Sequence, residues 1–205
     1  VCGTMGRFHD HFAVMEEVIG YNNPEKEAFA MNALISNKGN FFIADTYINE
    51  NPTAEQLAKG TLMCAAEMKR IGLKPKVALV SNTNYGSNRN PDANKMQQAL
   101  ELIRELDPAL EIDGEMQADV ALDETMRKSI FPETTLSGAA NLLVMPNVEA
   151  ANISYNLLRV NATNGITVGP ILMGLNKPVQ IVTPISTVRR IVNMIALAAV
   201  DAQRQ

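Results

Sequence analysis

Residues 75–94 read PKVALVSNTNYGSNRNPDAN. The run Val77–Val80 is short, apolar and rich in β-branched residues, which marks a strand. A polar loop, Ser81 to Arg89, follows it. Asp92 then stands where it can cap a helix whose inner face carries Met96, Leu100 and Ile103, with Gln97, Glu101 and Arg104 on the exposed face. Strand, polar loop and amphipathic helix make half of a parallel crossover unit, and the same alternation recurs along the chain. Phe41–Ala44, Leu142–Met145, Ile166–Val168 and Val179–Val182 read as further strands. Thr53 with Gln56 forms a capping-box pattern, after which Leu57, Thr61, Cys64, Met68 and Ile71 recur at helical spacing until Gly72 stops the helix. A last helix, about Thr187–Asp201, is apolar nearly all round from Ile191 onward and is expected to pack between other elements. The pattern predicts an α/β protein with a mostly parallel sheet and helices on its faces.

A chain of 205 residues, 46% hydrophobic and 20% charged, can bury a core in one large domain or two small lobes. Its net charge of −4 and the lack of a long basic run argue against a nucleic-acid binder. The longest apolar run, Met194–Val200, is far shorter than the roughly 20 residues a bilayer requires, so no membrane span is expected. The first residues lack the features of a signal peptide and begin with Val, from which a piece of a longer protein is expected. Cys2 and Cys64 form neither a disulfide framework nor a zinc motif, which fits a reducing cytoplasm. Cys64 lies on the apolar side of its helix and reads as a small core residue.

Ligands of such a sheet sit beyond the carboxyl ends of its strands. The loop Ser81, Asn82, Thr83, Asn84, Tyr85, Gly86, Ser87, Asn88 and Arg89 is polar, small and rich in hydrogen-bond donors, as phosphate or nucleotide binding requires. It reads equally well as a solvated turn. Met145–Asn152 runs from a strand into a helix, where Ala150 and Ala151 would let a ligand approach and Asn147 or Asn152 would bond to it. Asn147 reads equally as a plain helix cap. Gly169-Pro170 and Gly174 punctuate a third segment, explained by close packing or a turn. His9 and His11 form an H-x-H pair with no further metal ligand identifiable. Asp113 and Glu115 flank a glycine, where a strand-end turn is expected over acid/base work. The common nucleotide-loop and nucleophile-elbow motifs are absent from the sequence.

Six blocks together are more specific than any of these motifs. FIADTYINENPTAEQLA (42–58), PKVALVSNTNYGS (75–87), EIDGEMQADVAL (111–122), LSGAANLLVMPNVEAANISYNLL (136–158), VGPILMGLNKPVQIV (168–182) and IVNMIALAA (191–199) resemble, in order and spacing, the phosphate acetyl/butyryl transferase family. Within it they are most similar to the C-terminal domain of large bacterial NADP-dependent malic enzymes. The resemblance implies a phosphotransacetylase-type α/β/α sandwich, the architecture shared with isocitrate and isopropylmalate dehydrogenases. It has two lobes and a cleft: about residues 27–167 form the inner lobe, 1–26 and 168–205 belong to an outer lobe, and the rest of that outer lobe is expected before Val1.

The branch is read after Lys177-Pro178-Val179. Active family members resemble KPVNDLSRG followed by an acidic pair, whose Ser, Arg and second acid orient and deprotonate the CoA thiol and bind its charged partners. Here those positions hold Thr183, Pro184 and, for the acidic pair, Arg189 and Arg190. Proline supplies no guanidinium, and arginine stays protonated and cannot act as a base. No catalytic residue is therefore expected. The resemblance implies instead an acetyl-CoA cleft lined by Ser81–Ser87, Arg89, Asn147, Asn152, Thr183 and Pro184, in a domain that regulates malate oxidation and joins subunits into a homo-oligomer. NADP and a divalent metal would belong to the malic-enzyme part, none of whose machinery is found in this sequence. The runner-up is a working phosphate acetyltransferase with Thr183 in place of the Ser, and a third reading is an assembly module that senses nothing.

Overall fold

The computed structural model describes residues 1–37, 39–88, 90–162 and 165–203. The unit around residue 80 forms as the sequence predicts: strand β3 (Lys76–Val80) leads through the polar loop into helix α3 (Pro91–Leu106). The cap of α3 is Asn90, whose side chain accepts from the amide of Ala93, and not Asp92. Pro91 at the first helical position fixes this start, since its φ suits the helix and its missing N–H needs no partner there. Helix α2 (Ala54–Arg70) carries the full capping box between Thr53 and Gln56.

Around these lie α1 (Phe8–Val18), β1 (Phe29–Ser36), β2 (Gly39–Ala44), β4 (Glu111–Met116), α4 (Ala118–Leu122), α5 (Glu124–Ile130), β5 (Leu142–Val144), α6 (Val148–Asn161), β6 (Ile166–Met173) and α7 (Val188–Ala202). The six strands form one sheet in the order β4-β3-β5-β2-β1-β6. β4, β3, β5 and β2 are parallel to one another, while β1 pairs antiparallel with both β2 and β6. All four parallel strands thus send their carboxyl ends to one edge, where the loops Ser81–Ser87, Met145–Asn147 and Asp45–Asn49 gather.

Alternation along β3 shows why both faces of the sheet are covered. Val77 and Leu79 join the core beneath α2 and α3, with Leu57, Met68, Met96 and Ile103, whereas Ala78 and Val80 join the core beneath α4 and α6, with Val120, Ala151 and Tyr155. The result is an α/β/α sandwich. Gly60 on α2 makes one of these contacts possible: a Cβ there would stand 2.2 Å from the ring of Phe29. Cys64 is fully buried in the first core, and burial, with the charges of Asp45 and Glu67, pushes its thiol well above the usual range, which suits a packing residue. A third cluster packs Phe8 and Phe12 of α1 against Leu172, Leu175, Val179 and Ile181.

Two expectations are corrected. Val179–Val182 is extended but joins no sheet; Ile181 makes a single parallel bridge to Cys2, because no other strand lies beside it among the described residues. Helix α7 is not enclosed: Arg190 and Met194 face the core, while Val188, Val192 and Ile195 are 78%, 56% and 51% exposed. Among the described residues no helix is long and apolar enough to cross a membrane.

Candidate functional site

The loops after β3 and β5 enclose a crevice of about 600 Å³, lined by Ser81, Asn82, Asn88 and Asn90 on one side and by Met145, Pro146, Asn147, Ala150 and Ser154 on the other. Of the residues expected in a ligand cleft, Ser81, Asn82 and Asn147 meet here. Asn147 caps α6 by accepting from the amide of Ala150 at 2.9 Å, as the plain-cap reading expects, and it also lines the crevice. Ser154 went unnoticed in the sequence, although it lies one helical turn beyond Ala150 and shares its face.

The second half of the loop turns away from the crevice. Thr83 donates through Oγ1 to Glu115 Oε1 at 2.8 Å, and the amide of Gly86 donates to the same oxygen at 3.0 Å. Tyr85, at φ 48°, lays its ring on Phe131 with centroids 4.2 Å apart, and its hydroxyl reaches Asp113 at 3.4 Å. Burial and the charge of Asp113 push the Tyr85 hydroxyl up to about 12. Asn84 forms a reciprocal pair with Gln117, receiving its amide N–H at 2.8 Å and donating to its side chain at 2.9 Å. Ser87 accepts from the amide of Asn84 at 3.1 Å. Thr83, Asn84, Tyr85, Gly86 and Ser87 therefore shape the loop and do not line the crevice, while Arg89 lies outside the described residues.

These anchors explain the carboxylates on either side of Gly114. Asp113 and Glu115 do not form a strand-end turn. They sit within β4, 2% and 0% exposed: Asp113 accepts from Thr134 at 2.5 Å and Arg104 at 3.2 Å, and Glu115 accepts from Thr83 and Gly86 at Oε1, while its buried Oε2 has no hydrogen-bond partner among the described residues. His9 and His11 lie on α1, and among the described residues no group of three or more histidine, cysteine or acidic side chains is placed to hold a metal.

Thr183 and Pro184 fall outside the crevice, in a turn closed by the amide of Ser186 donating to the carbonyl of Thr183 at 2.9 Å. Asn152 likewise faces the end of β2, donating to the carbonyl of Thr46 at 3.4 Å. Arg190, four-residue neighbour of Met194 on the inner face of α7, points into the sheet and is 5% exposed. Its Nε donates to the carbonyl of Gly169 at 2.6 Å and its Nη2 to Asn32 Oδ1 at 3.3 Å. Asn32 in turn donates to Thr46 Oγ1 at 2.8 Å. The approach needs a glycine at 169, which takes φ +129° and whose Cβ would stand 2.6 Å from Asn32 Oδ1. Every acceptor of this guanidinium among the described residues is neutral.

The phosphate acetyl/butaryl transferase family matches residues 1–199. This chain belongs to that family. Its fold is that of solved family members: it superimposes with a TM-score of 0.91 on a phosphotransacetylase from Streptococcus pyogenes, at 27% identity over 99% of this chain and 62% of that one. With the EutD phosphotransacetylase from Staphylococcus aureus the TM-score is 0.85, again at 27% identity, over 98% and 61% of the two chains. Within the family the chain is 57% identical, over its whole length, to part of an NADP-dependent malic enzyme of Escherichia coli (strain K12). It spans 27% of that protein's length. A phosphate acetyltransferase of Corynebacterium glutamicum is 35% identical over 77% of the chain and 48% of that protein. The resemblance read from the six sequence blocks is thus borne out for the family and for its malic-enzyme branch.

Proposed function

We propose that this chain is a non-catalytic, acetyl-CoA-binding regulatory and oligomerisation domain of a cytoplasmic NADP-dependent malic enzyme. The parent enzyme converts malate to pyruvate by oxidative decarboxylation elsewhere in its sequence, with NADP and a divalent metal held there. The carrying observation is the place of Arg190. Where active relatives are expected to hold an acid, this chain holds a buried guanidinium bonded to Gly169 and Asn32, so the position has passed from proton transfer to structure. Meanwhile the crevice between the β3 and β5 loops stays open, with Ser81, Asn82, Asn147 and Ser154 set among apolar residues. A domain that keeps a ligand crevice and lacks reacting groups acts by binding, shifting the balance between conformations of the protein that carries it. A coupling of roughly 1 to 3 kcal/mol corresponds to about 5- to 150-fold control. In this reading residues 27–167 form the inner lobe, and 1–26 and 168–205, with α1, the Thr183–Ser186 turn and α7, belong to the outer one. The exposed apolar side of α7 suits contact with further protein.

The test is a titration of acetyl-CoA into the full-length protein, following heat of binding and malate oxidation together, with acetyl phosphate plus CoA as a parallel assay. Saturable binding, altered malate turnover and no acetyl transfer are expected. Acetyl transfer would instead identify a working phosphate acetyltransferase and overturn the assignment of Thr183, Pro184 and Arg190. Absence of binding would leave assembly as the surviving role.

A further inference from the structure

The loop that follows β2, Asp45 to Glu50, touches three parts of the molecule that otherwise lie apart. Asp45 is buried, and its carboxylate accepts from the amides of Tyr47 at 3.0 Å, Ile48 at 3.1 Å and Asn49 at 2.9 Å, and from the side chain of Asn49 at 2.7 Å. Hydrogen bonds to an ionised acceptor are stronger than neutral ones, so one carboxylate holding three consecutive amides makes the loop a rigid piece. The amide of Thr46 donates to the carbonyl of Ala30 at 3.1 Å and the side chain of Asn49 to that of Ala28 at 2.9 Å, which joins this piece to the start of β1.

Each side of the piece meets a different neighbour. Toward the crevice, the carbonyl of Glu50 accepts at 3.2 Å from the amide of Val148, in the first turn of α6 beside the lining residue Asn147. The carbonyl of Thr46 accepts from Asn152, one turn further along α6. Toward α1, the ring of Tyr47 lies 4.6 Å from that of Phe8, centroid to centroid, and Ile48 packs against the same cluster. Toward α7, Thr46 Oγ1 accepts from Asn32, whose Oδ1 accepts from Arg190. α6 packs on one face of the sheet and α7 on the other, so the series Asn152, Thr46, Asn32, Arg190 crosses the sheet. Thr46, Asn32 and Arg190 are buried, and a buried polar group that loses its partner is costly. A shift in the first turn of α6 is therefore passed on to these groups as a change of seating and is not absorbed by them.

We infer that the Asp45–Glu50 loop couples occupation of the crevice to the seating of α1 and α7. The inference rests on the acetyl-CoA reading above and names the element through which its regulation passes. Thr46, Tyr47 and Asn32 are positioning residues, since none of them lines the crevice.

The test uses the full-length protein and its Tyr47→Ala and Thr46→Val forms. Tyr47→Ala removes the ring from Phe8, and Thr46→Val removes the acceptor of Asn32 with little change of shape. Acetyl-CoA affinity is read by calorimetry, and malate turnover and amide hydrogen exchange are read with and without saturating acetyl-CoA. In the unaltered protein acetyl-CoA changes exchange in both α1 and α7. The variants bind acetyl-CoA within about threefold of the unaltered protein, while its effect on turnover shrinks by about twofold or more. The exchange response is lost from α1 in Tyr47→Ala and from α7 in Thr46→Val. Tyr47 is half-buried, so that form carries the test should Thr46→Val not fold. A variant that keeps the full effect and exchange response, or whose affinity falls as far as its effect, overturns the inference and leaves the regulatory reading standing. So does an unaltered protein whose α1 and α7 do not respond to saturating acetyl-CoA. Binding without any effect on malate turnover overturns the regulatory reading, and the exchange pattern then decides the coupling alone. No binding of acetyl-CoA to the unaltered protein overturns both.

Discussion

The crevice and the Arg190 node are built from the same side-chain chemistry and end in opposite states. Around Arg190, Asn32, Thr46 and the Gly169 carbonyl are bonded to one another and buried. Around the crevice, Asn82, Asn88, Asn147 and Ser154 hold valences that no neighbour among the described residues takes up. Amides and hydroxyls paired in a dry interior fix one arrangement, because leaving any of them unpaired carries a desolvation cost. The same groups at an open strand edge stay available, because water serves them until a ligand does. Polar composition therefore does not mark a site; unspent hydrogen-bonding capacity in a concave place does.

The largest effect is expected from Arg190→Asp, which puts a carboxylate against the Gly169 carbonyl and Asn32 Oδ1, two acceptors. A loss of about 3–5 kcal/mol is expected, as for other uncompensated buried charges. Chemical denaturation measures it, and an acetyl-transfer assay of the variant stays negative. A stable Arg190→Asp protein with transferase activity would break the contrast. Thr83→Val removes one of the two donors to Glu115 Oε1 and is expected to cost about 1–3 kcal/mol. It also loosens the loop, so acetyl-CoA affinity falls although Thr83 does not line the crevice.

A third test uses pH. The folded protein holds the Tyr85 hydroxyl up to about 12 against an ordinary value of 10.0, so the unfolded chain ionises first. The stabilisation is complete below pH 10 and declines between pH 10 and about pH 12. Tyr85→Phe is expected to remove one late step from the tyrosinate absorbance titration and to flatten stability across that window. The smallest effect belongs to Asn84→Ala, which breaks only the surface pair with Gln117. A change within about 0.5 kcal/mol is expected, with acetyl-CoA affinity nearly unaltered. A large loss of affinity would place Asn84 in the site after all.

The parts of the fold that obey simple periodicity were legible. β3 and β5 are continuous apolar runs because both faces of the sheet are covered, and α2 and α3 show one apolar stripe each. β4 was not legible, because EIDGEM carries three carboxylates and a glycine and its burial depends on donors that arrive from Thr83, Thr134 and Arg104. β1 hides Asn32 at its middle for the same reason, as its partner Arg190 is 158 residues away. Val179–Val182 has strand composition, yet composition cannot supply a neighbouring strand. For the crevice, position after β3 and β5 led to Ser81, Asn82 and Asn147, which line it. It also swept in Thr83–Ser87, whose direction is set by Asp113, Glu115 and Phe131 across the sheet.

The single antiparallel strand has a consequence for the order in which the molecule assembles. β1 and β2 pair through a tight hairpin, Ser36 opposite Gly39, and such local closure is fast. β6 must find β1 from the far end of the chain, Ala33 meeting Val168, and only then does α7 gain the Gly169 carbonyl on which Arg190 seats. The edge that carries Arg190 is therefore expected to form last and to open first. Native-state hydrogen exchange should release the amides of β6 and α7 before those of β3 and β5.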